Sequence, residues 1–214
     1  MFNKPSRPVI VSLRIKDAHP KALVSEPAHH NGHIHIKTGN FLLRSLVPSD
    51  VTSRFVEWLN DWQMLQGLNI ARLSFTEETL ADFIASFDNH HGYFIGIFDC
   101  HTDLLLGFYT IDVNRKHKTG NLTTGVGEME TGGKPVLWAT IDALLDHFYA
   151  EQDIEKFSAR ILARNHRMLF NFRNNTRFVL EAHLKQECLG ANGNRVDIIS
   201  FASFKNDILP VKPV

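Results

Sequence analysis

The stretch Leu122-Thr123-Thr124-Gly125-Val126-Gly127-Glu128-Met129-Glu130-Thr131-Gly132-Gly133-Lys134-Pro135 decides the reading of this chain. Leu122 to Glu128 reads as a strand that ends in glycine, and a helix to about Tyr149 follows the turn at once. The helix carries apolar residues at Leu137, Ile141, Leu144, Leu145 and Phe148, the stripe of a helix packed by one face on a core. Strand, glycine turn and helix start together leave backbone N–H groups pointing outward with no partner inside the helix. Those groups and the helix dipole both favour negative charge, so a phosphate is the natural ligand there. The segment is neither a P-loop, which needs Gly-Lys-Ser/Thr, nor a G-x-G-x-x-G dinucleotide fingerprint.

Before this stretch, Tyr93–Asp99 and Leu104–Val113 read as an antiparallel hairpin across His101-Thr102-Asp103. Leu104 to Tyr109 is apolar on both faces, as in a central strand. Further back, Ile34 to Leu46 is extended with a break at Gly39-Asn40. A helix capped by Ser49 or Asp50 follows, with Val51, Phe55, Trp58, Leu59 and Trp62 as its buried stripe. A second helix begins at a Thr76 cap, where Phe75 and Leu80 are spaced as a hydrophobic staple. Downstream come a strand at Lys156–Leu162, a short helix from Asn165 to about Asn174, and strands at Phe178–Lys185 and Val196–Phe204. The expected class is α+β, with a mixed, mostly antiparallel central sheet flanked by helices.

At 214 residues the chain reads as one domain over 33–214, with residues 1–32 as an N-terminal arm. Pro5, Pro8, Pro20 and Pro27 break that arm into short pieces, although Val9 to Ile15 could form a strand. His29, His30, His33 and His35 crowd its end, but no cysteine or carboxylate completes a zinc spacing, and no metal is expected. The formal net charge is zero, which argues against a general nucleic-acid binder. No apolar run reaches the roughly 18 residues of a membrane span, and the first residues lack a secretory pattern. Cys100 and Cys188 are the only cysteines, too few for a disulfide framework. A soluble cytoplasmic protein with no nucleic-acid or membrane partner is the expectation.

Several short stretches, in this order, resemble the GNAT acyltransferase superfamily, in particular its branch similar to ribosomal-protein N-terminal acetyltransferases. Phe41-Leu42-Leu43-Arg44-Ser45-Leu46 with Asp50 looks like the opening strand and helix start of that branch. Phe94-Ile95-Gly96-Ile97-Phe98 and Leu106-Gly107-Phe108 look like its central hairpin, and Val126-Gly127-Glu128 through Gly133-Lys134 like its coenzyme A pyrophosphate loop. Glu155-Lys156 through Arg160, then Asn165-His166-Arg167, look like the next strand and helix start. Arg177-Phe178 with Glu181 sits where the family has a glycine-phenylalanine pair and a glutamate.

The resemblance implies an N-acyltransferase with acetyl-CoA as co-substrate. Its acceptor would be a small-molecule amine or a protein N-terminus, and a homodimer is among the assemblies expected. It places the donor on Val126, Glu128, Thr131, Gly132, Gly133, Lys134, Val136, Asn165 and Arg167, and the acceptor near Trp58 and Trp62. Glu128 and Asp112 are the candidate general bases, each beside the plainer role of a solvated carboxylate at a strand end. Asn165 has a helix cap as its plain role.

The chain departs from the family pattern at Glu130 and Pro135 in the loop, at Met168 where a serine often assists the thiolate, and at Arg177. Pro135 cannot donate an N–H, and Glu130 adds negative charge near a dianion. A catalytically silent binding module, or a donor such as acyl carrier protein, therefore stands beside the coenzyme A enzyme as an alternative.

Overall fold

The computed structural model describes residues 32–69, 74–127, 136–190 and 192–206. The expected strand at Val9–Ile15, His29 and His30 of the arm, and the loop from Glu128 to Pro135 lie outside the described residues.

Eight strands form one sheet in the order β1-β2-β3-β4-β5-β6-β8-β7, with β5 and β6 its parallel pair. β1 (His35–Thr38) and β2 (Phe41–Ser45) make a hairpin whose turn needs the positive φ of Gly39, +54°. β3 (Gly92–Asp99) and β4 (Leu105–Asn114) pair antiparallel, and β4, apolar on both faces, lies inside the sheet as its sequence predicts.

Between β2 and β3 the chain forms three helices: α1 (Ser53–Asn60), α2 (Trp62–Leu68) and α3 (Glu77–Ala85). The structure corrects the expected start of the first. Asp50 is not a cap, because both its oxygens take the Arg44 guanidinium at 2.7 Å and one also accepts from Val47 N–H. Thr52 caps α1 instead, accepting from Phe55 N–H. The helix then breaks at Asp61, whose extended backbone (ψ 127°) ends α1 while its side chain caps α2 through Met64 N–H. Trp62 therefore leaves the buried stripe and is 42% exposed. α3 starts at Thr76 as expected, and Phe75 packs with its apolar residues.

β5 (Thr119–Val126) starts three residues before the expected Leu122. Gly120 hides it in the sequence: the Phe157 ring lies where a Cβ would stand, 2.4 Å away, so the position takes no apolar side chain. α4 (Val136–Glu151) follows, then β6 (Lys156–Leu162), α5 (His166–Asn174), β7 (Val179–Leu189) and β8 (Arg195–Phe204). β7 outruns its expected end at Lys185 because register shifts carry its polar stretch on to Cys188 and Leu189.

Two cores cover the two faces of the sheet. On one, Ile141, Leu144, Leu145 and Phe148 of α4 meet Tyr109, Ile111, Leu122 and Phe157, with Leu169 and Phe172 of α5 beside them. On the other, Phe55 and Leu59 of α1 and Leu80 and Ile84 of α3 pack on Phe94, Phe98 and Phe108. The alternation of Tyr93/Phe94 and Phe108/Tyr109 between these cores is the period-two rule applied to a strand buried on both sides. No helix among the described residues is long and apolar enough to cross a membrane.

Candidate active site

The parallel pair comes apart. β5 and β6 are in register only from Thr119/Lys156 to Leu122/Ala159, whereas β5 stays paired with β4 as far as Val126/Gly107. The second half of β5, Thr123 to Val126, thus has a strand on one side only. Gly127 N–H donates to Leu106 C=O at 3.0 Å, and bonding alternates along an antiparallel ladder. The N–H and C=O groups of Thr124 and Val126 consequently point toward β6, where β6 no longer receives them. A wedge of backbone donors and acceptors that no neighbouring strand among the described residues pairs with is suited to an extended, amide-bearing ligand, which can pair there as an added strand would.

α2 lies across this wedge, packed on β5 and β6. Its Gly67 C=O accepts from Asn165 Nδ2 at 3.4 Å, and Asn69 Nδ2 donates to Leu189 C=O at 3.1 Å. Trp58 closes the far end. Its indole lies against Gly127, where an added Cβ would come 2.0 Å from the ring, so this position accommodates only glycine. The Arg54 guanidinium stacks on the same indole, 4.9 Å from its centre.

The structure thus brings Val126, Trp58 and Asn165 to the wedge, whereas Trp62, the first residue of α2, is exposed with no contact to it among the described residues, and Val136 opens α4. Asn165 Oδ1 accepts from Met168 N–H at 3.2 Å and so caps α5, while its Nδ2 ties the cap to α2. Met168 packs its thioether partly into the core, and Arg167 lies exposed on α5. Arg177, the third departure from the family pattern, bonds Asp146 of α4 at 2.7 Å, and the following Phe178 is buried against Phe172. Glu128, Thr131, Gly132, Gly133 and Lys134 lie outside the described residues, as do Glu130 and Pro135.

Asp112 is not brought to this site. It pairs with Asn121 and Gly92 at the zipped end of β5, five residues along β4 from Gly107, or about 17 Å at strand rise. His33 and His35 are exposed, and no group of three metal-ligating side chains occurs among the described residues. A separate hollow of about 600 Å3, lined by Leu169, Phe170, Arg173, His183 and Ile199, opens beside α5 and touches none of the wedge residues.

The signal that sequence reading missed is Asp61. As an Asx cap it divides one expected helix into α1 and α2, and the second piece covers the wedge with Gly67 and Asn69.

No protein-family model matches the sequence, and no curated protein does. Solved structures do. The spermidine N-acetyltransferase of Vibrio cholerae, solved with CoA and spermine, superposes with a TM-score of 0.67 at 18% identity, over 78% of this chain and 96% of that one. The ribosomal-protein-S5-alanine acetyltransferase of Vibrio fischeri gives 0.69 at 15% identity, over 81% and 98%. The Salmonella typhimurium acetyltransferase that modifies the N-terminal serine of ribosomal protein L7/L12 gives 0.66 at 19%, over 77% and 95%. At such identities the likeness is one of fold. The chain has the fold of the GNAT acetyltransferases.

Proposed function

We propose that this protein is an N-acyltransferase that moves an acetyl group from acetyl-CoA to a primary amine by direct attack. The observation that supports it most is the opened β5–β6 pair, which turns the Thr124 and Val126 backbone groups toward β6 where β6 does not pair with them, shortly before the 128–135 segment in the chain. In this reading the amide-bearing arm of the donor lies along Val126 in the wedge. Its pyrophosphate takes the backbone of Thr131, Gly132 and Gly133, the Lys134 ammonium and the start of α4 at Val136.

The amine lone pair attacks the thioester carbonyl carbon, the C–S bond breaks, and the thiolate leaves. In this reading a backbone N–H of the wedge holds the developing oxyanion, an interaction worth roughly 3–4 kcal/mol where it has been removed elsewhere. Glu128 takes the proton from the attacking nitrogen, directly or through water. Water protonates the thiolate, since the Met168 thioether has no proton to give. Asn165 acts by position, holding α5 and α2 at the edge of the wedge. The acceptor is a small amine or a polypeptide N-terminus that enters beside Trp58 and Trp62. A cytoplasmic setting, where the thioester donor is found, belongs to the same proposal.

The test is calorimetric titration with acetyl-CoA, followed by release of free thiol on adding an amine. Binding in the micromolar range with amine-dependent thiol release is expected. No binding at millimolar acetyl-CoA would end the proposal and leave a silent module or another donor.

A further inference from the structure

The hollow beside α5 takes no part in the wedge and has the components of a second ligand site. Its volume, about 600 Å3, falls within the range of small-molecule pockets. Buried Leu169 of α5 and buried Ile199 of β8 give it an apolar floor. His166, Phe170 and Arg173 make one wall, at the i, i+4 and i+7 spacing that sets three side chains on one side of a helix. His183, the β7 neighbour of Ile199, makes the other. Two of these side chains are unlike their neighbours. Phe170 is 69% exposed, whereas Phe172 and Phe178 are buried against each other. Arg173 makes no hydrogen bond or ion pair among the described residues, whereas Arg44, Arg160 and Arg177 each hold a carboxylate. No carboxylate lines the hollow among the described residues. Asp197, the one bonded to its wall, is already engaged: Oδ2 meets His183 Nε2 at 2.7 Å, and Oδ1 accepts from Gln186 N–H at 2.7 Å. Those two bonds also fix the His183 ring.

We propose that this hollow binds a small aromatic carboxylate. Its ring lies on Leu169 and Ile199 and packs against the uncovered Phe170 ring, and its carboxylate takes the Arg173 fork in a bidentate pair. The inference stands apart from the acyl-transfer reading, because no wedge residue lines the hollow. A neutral ring of the same shape leaves Arg173 unmatched, and a cationic one meets it as like charge. A straight-chain carboxylate satisfies the guanidinium but offers Phe170 no ring.

The experiment is calorimetric titration of the full chain with 2-naphthoate, beside 2-naphthamide, 2-naphthylmethylammonium and octanoate. A Kd of about 1 mM or tighter is expected for a carboxylate of this size. An exposed ion pair contributes up to about a factor of five, and a ring contact about two- to tenfold. 2-Naphthamide should therefore bind about fivefold weaker than 2-naphthoate, and the ammonium compound weaker still. Arg173→Gln should abolish the preference for 2-naphthoate over 2-naphthamide, and Arg173→Lys should keep part of it. Phe170→Ala should weaken 2-naphthoate about two- to tenfold, and octanoate by less. Saturating acetyl-CoA should leave the 2-naphthoate affinity unchanged. Both side chains are exposed, so the variants should melt with the parent. Should one unfold, the four compounds compared on the parent chain, with and without acetyl-CoA, carry the test. Four results each overturn the inference: no heat at several times the expected Kd, 2-naphthoate no tighter than 2-naphthamide, competition with acetyl-CoA, or an unchanged Kd in folded Arg173→Gln or Phe170→Ala.

Discussion

The two halves of β5 make an instructive contrast. Thr119 to Leu122 is zipped on both sides and lies over the larger core, with Leu122 buried and the Phe157 ring filling the space above Gly120. Thr123 to Val126 keeps β4 but loses β6, and its cover is α2 and Trp58 rather than a strand. One strand thus passes from stability to binding within eight residues. Substitutions in the first half should cost stability, and those in or beside the second half should cost ligand.

The largest expected effect is on the zipped half. Phe157 is fully buried, with its ring 5.6 Å from Phe148 and 5.7 Å from Tyr149. Phe157→Ala should destabilise the fold by about 3–5 kcal/mol in urea titration. A loss below about 1 kcal/mol would show that the zipped half is not what holds β5. Next in size is Glu128→Gln, which should lower kcat by about a hundredfold or more while acetyl-CoA still binds. Unchanged turnover in a thiol-release assay removes Glu128 as the base.

At the junction, Gly127→Ala would set a methyl group against the Trp58 ring. Such overpacking costs about 1–3 kcal/mol. Because it displaces the cover of the wedge, it should weaken acetyl-CoA binding by more than it lowers the melting temperature. Equal acetyl-CoA affinity in the variant and the parent would detach Trp58 from the site. A smaller loss, about 1 kcal/mol in stability, is expected for Asn165→Ala, which deletes the α5 cap and its tie to Gly67. Asn165→Asp keeps the cap and should restore most of it.

The smallest effect belongs to the loop that leads into β3, far from the wedge. Burial works against the Asp88 carboxylate, but the N–H groups of Gly92, His90 and His91 outweigh it and hold its pKa down at about 2. A depressed carboxylate pKa stabilises the fold at pH values above the unfolded-chain value and stops doing so as pH falls from about 4 toward 2. Asp88→Asn should therefore be slightly less stable than the parent at pH 7, with the difference shrinking below pH 4 and closing as pH falls through about 2. Asp88 is half exposed, so solvent screening keeps the difference small.

The order of elements was legible because its signals are local. Thr76 with Phe75 and Leu80, the α4 stripe, and the hairpin from Tyr93 to Val113 each declare themselves within a dozen residues. Where sequence reading slipped, a side chain was serving a distant partner. Asp50 reads as a cap but answers Arg44, and Gly120 interrupts a strand so that Phe157 can lie over it. The candidate site is less legible still. Asp112 and Val126 belong to neighbouring strands, yet only the antiparallel register reveals that they lie at opposite ends of the pair. The opening of β5 from β6 depends on strands more than thirty residues apart in the chain. Nothing in the sequence of either strand announces that their pairing stops at Leu122.

Amide hydrogen exchange on the free protein and with saturating acetyl-CoA tests the central claim most directly. The account predicts that the Thr124 and Val126 amides, free toward β6, exchange fast alone and become strongly protected on binding, while Leu122 stays protected throughout. Exchange at Thr124 and Val126 that is the same with and without acetyl-CoA would contradict it.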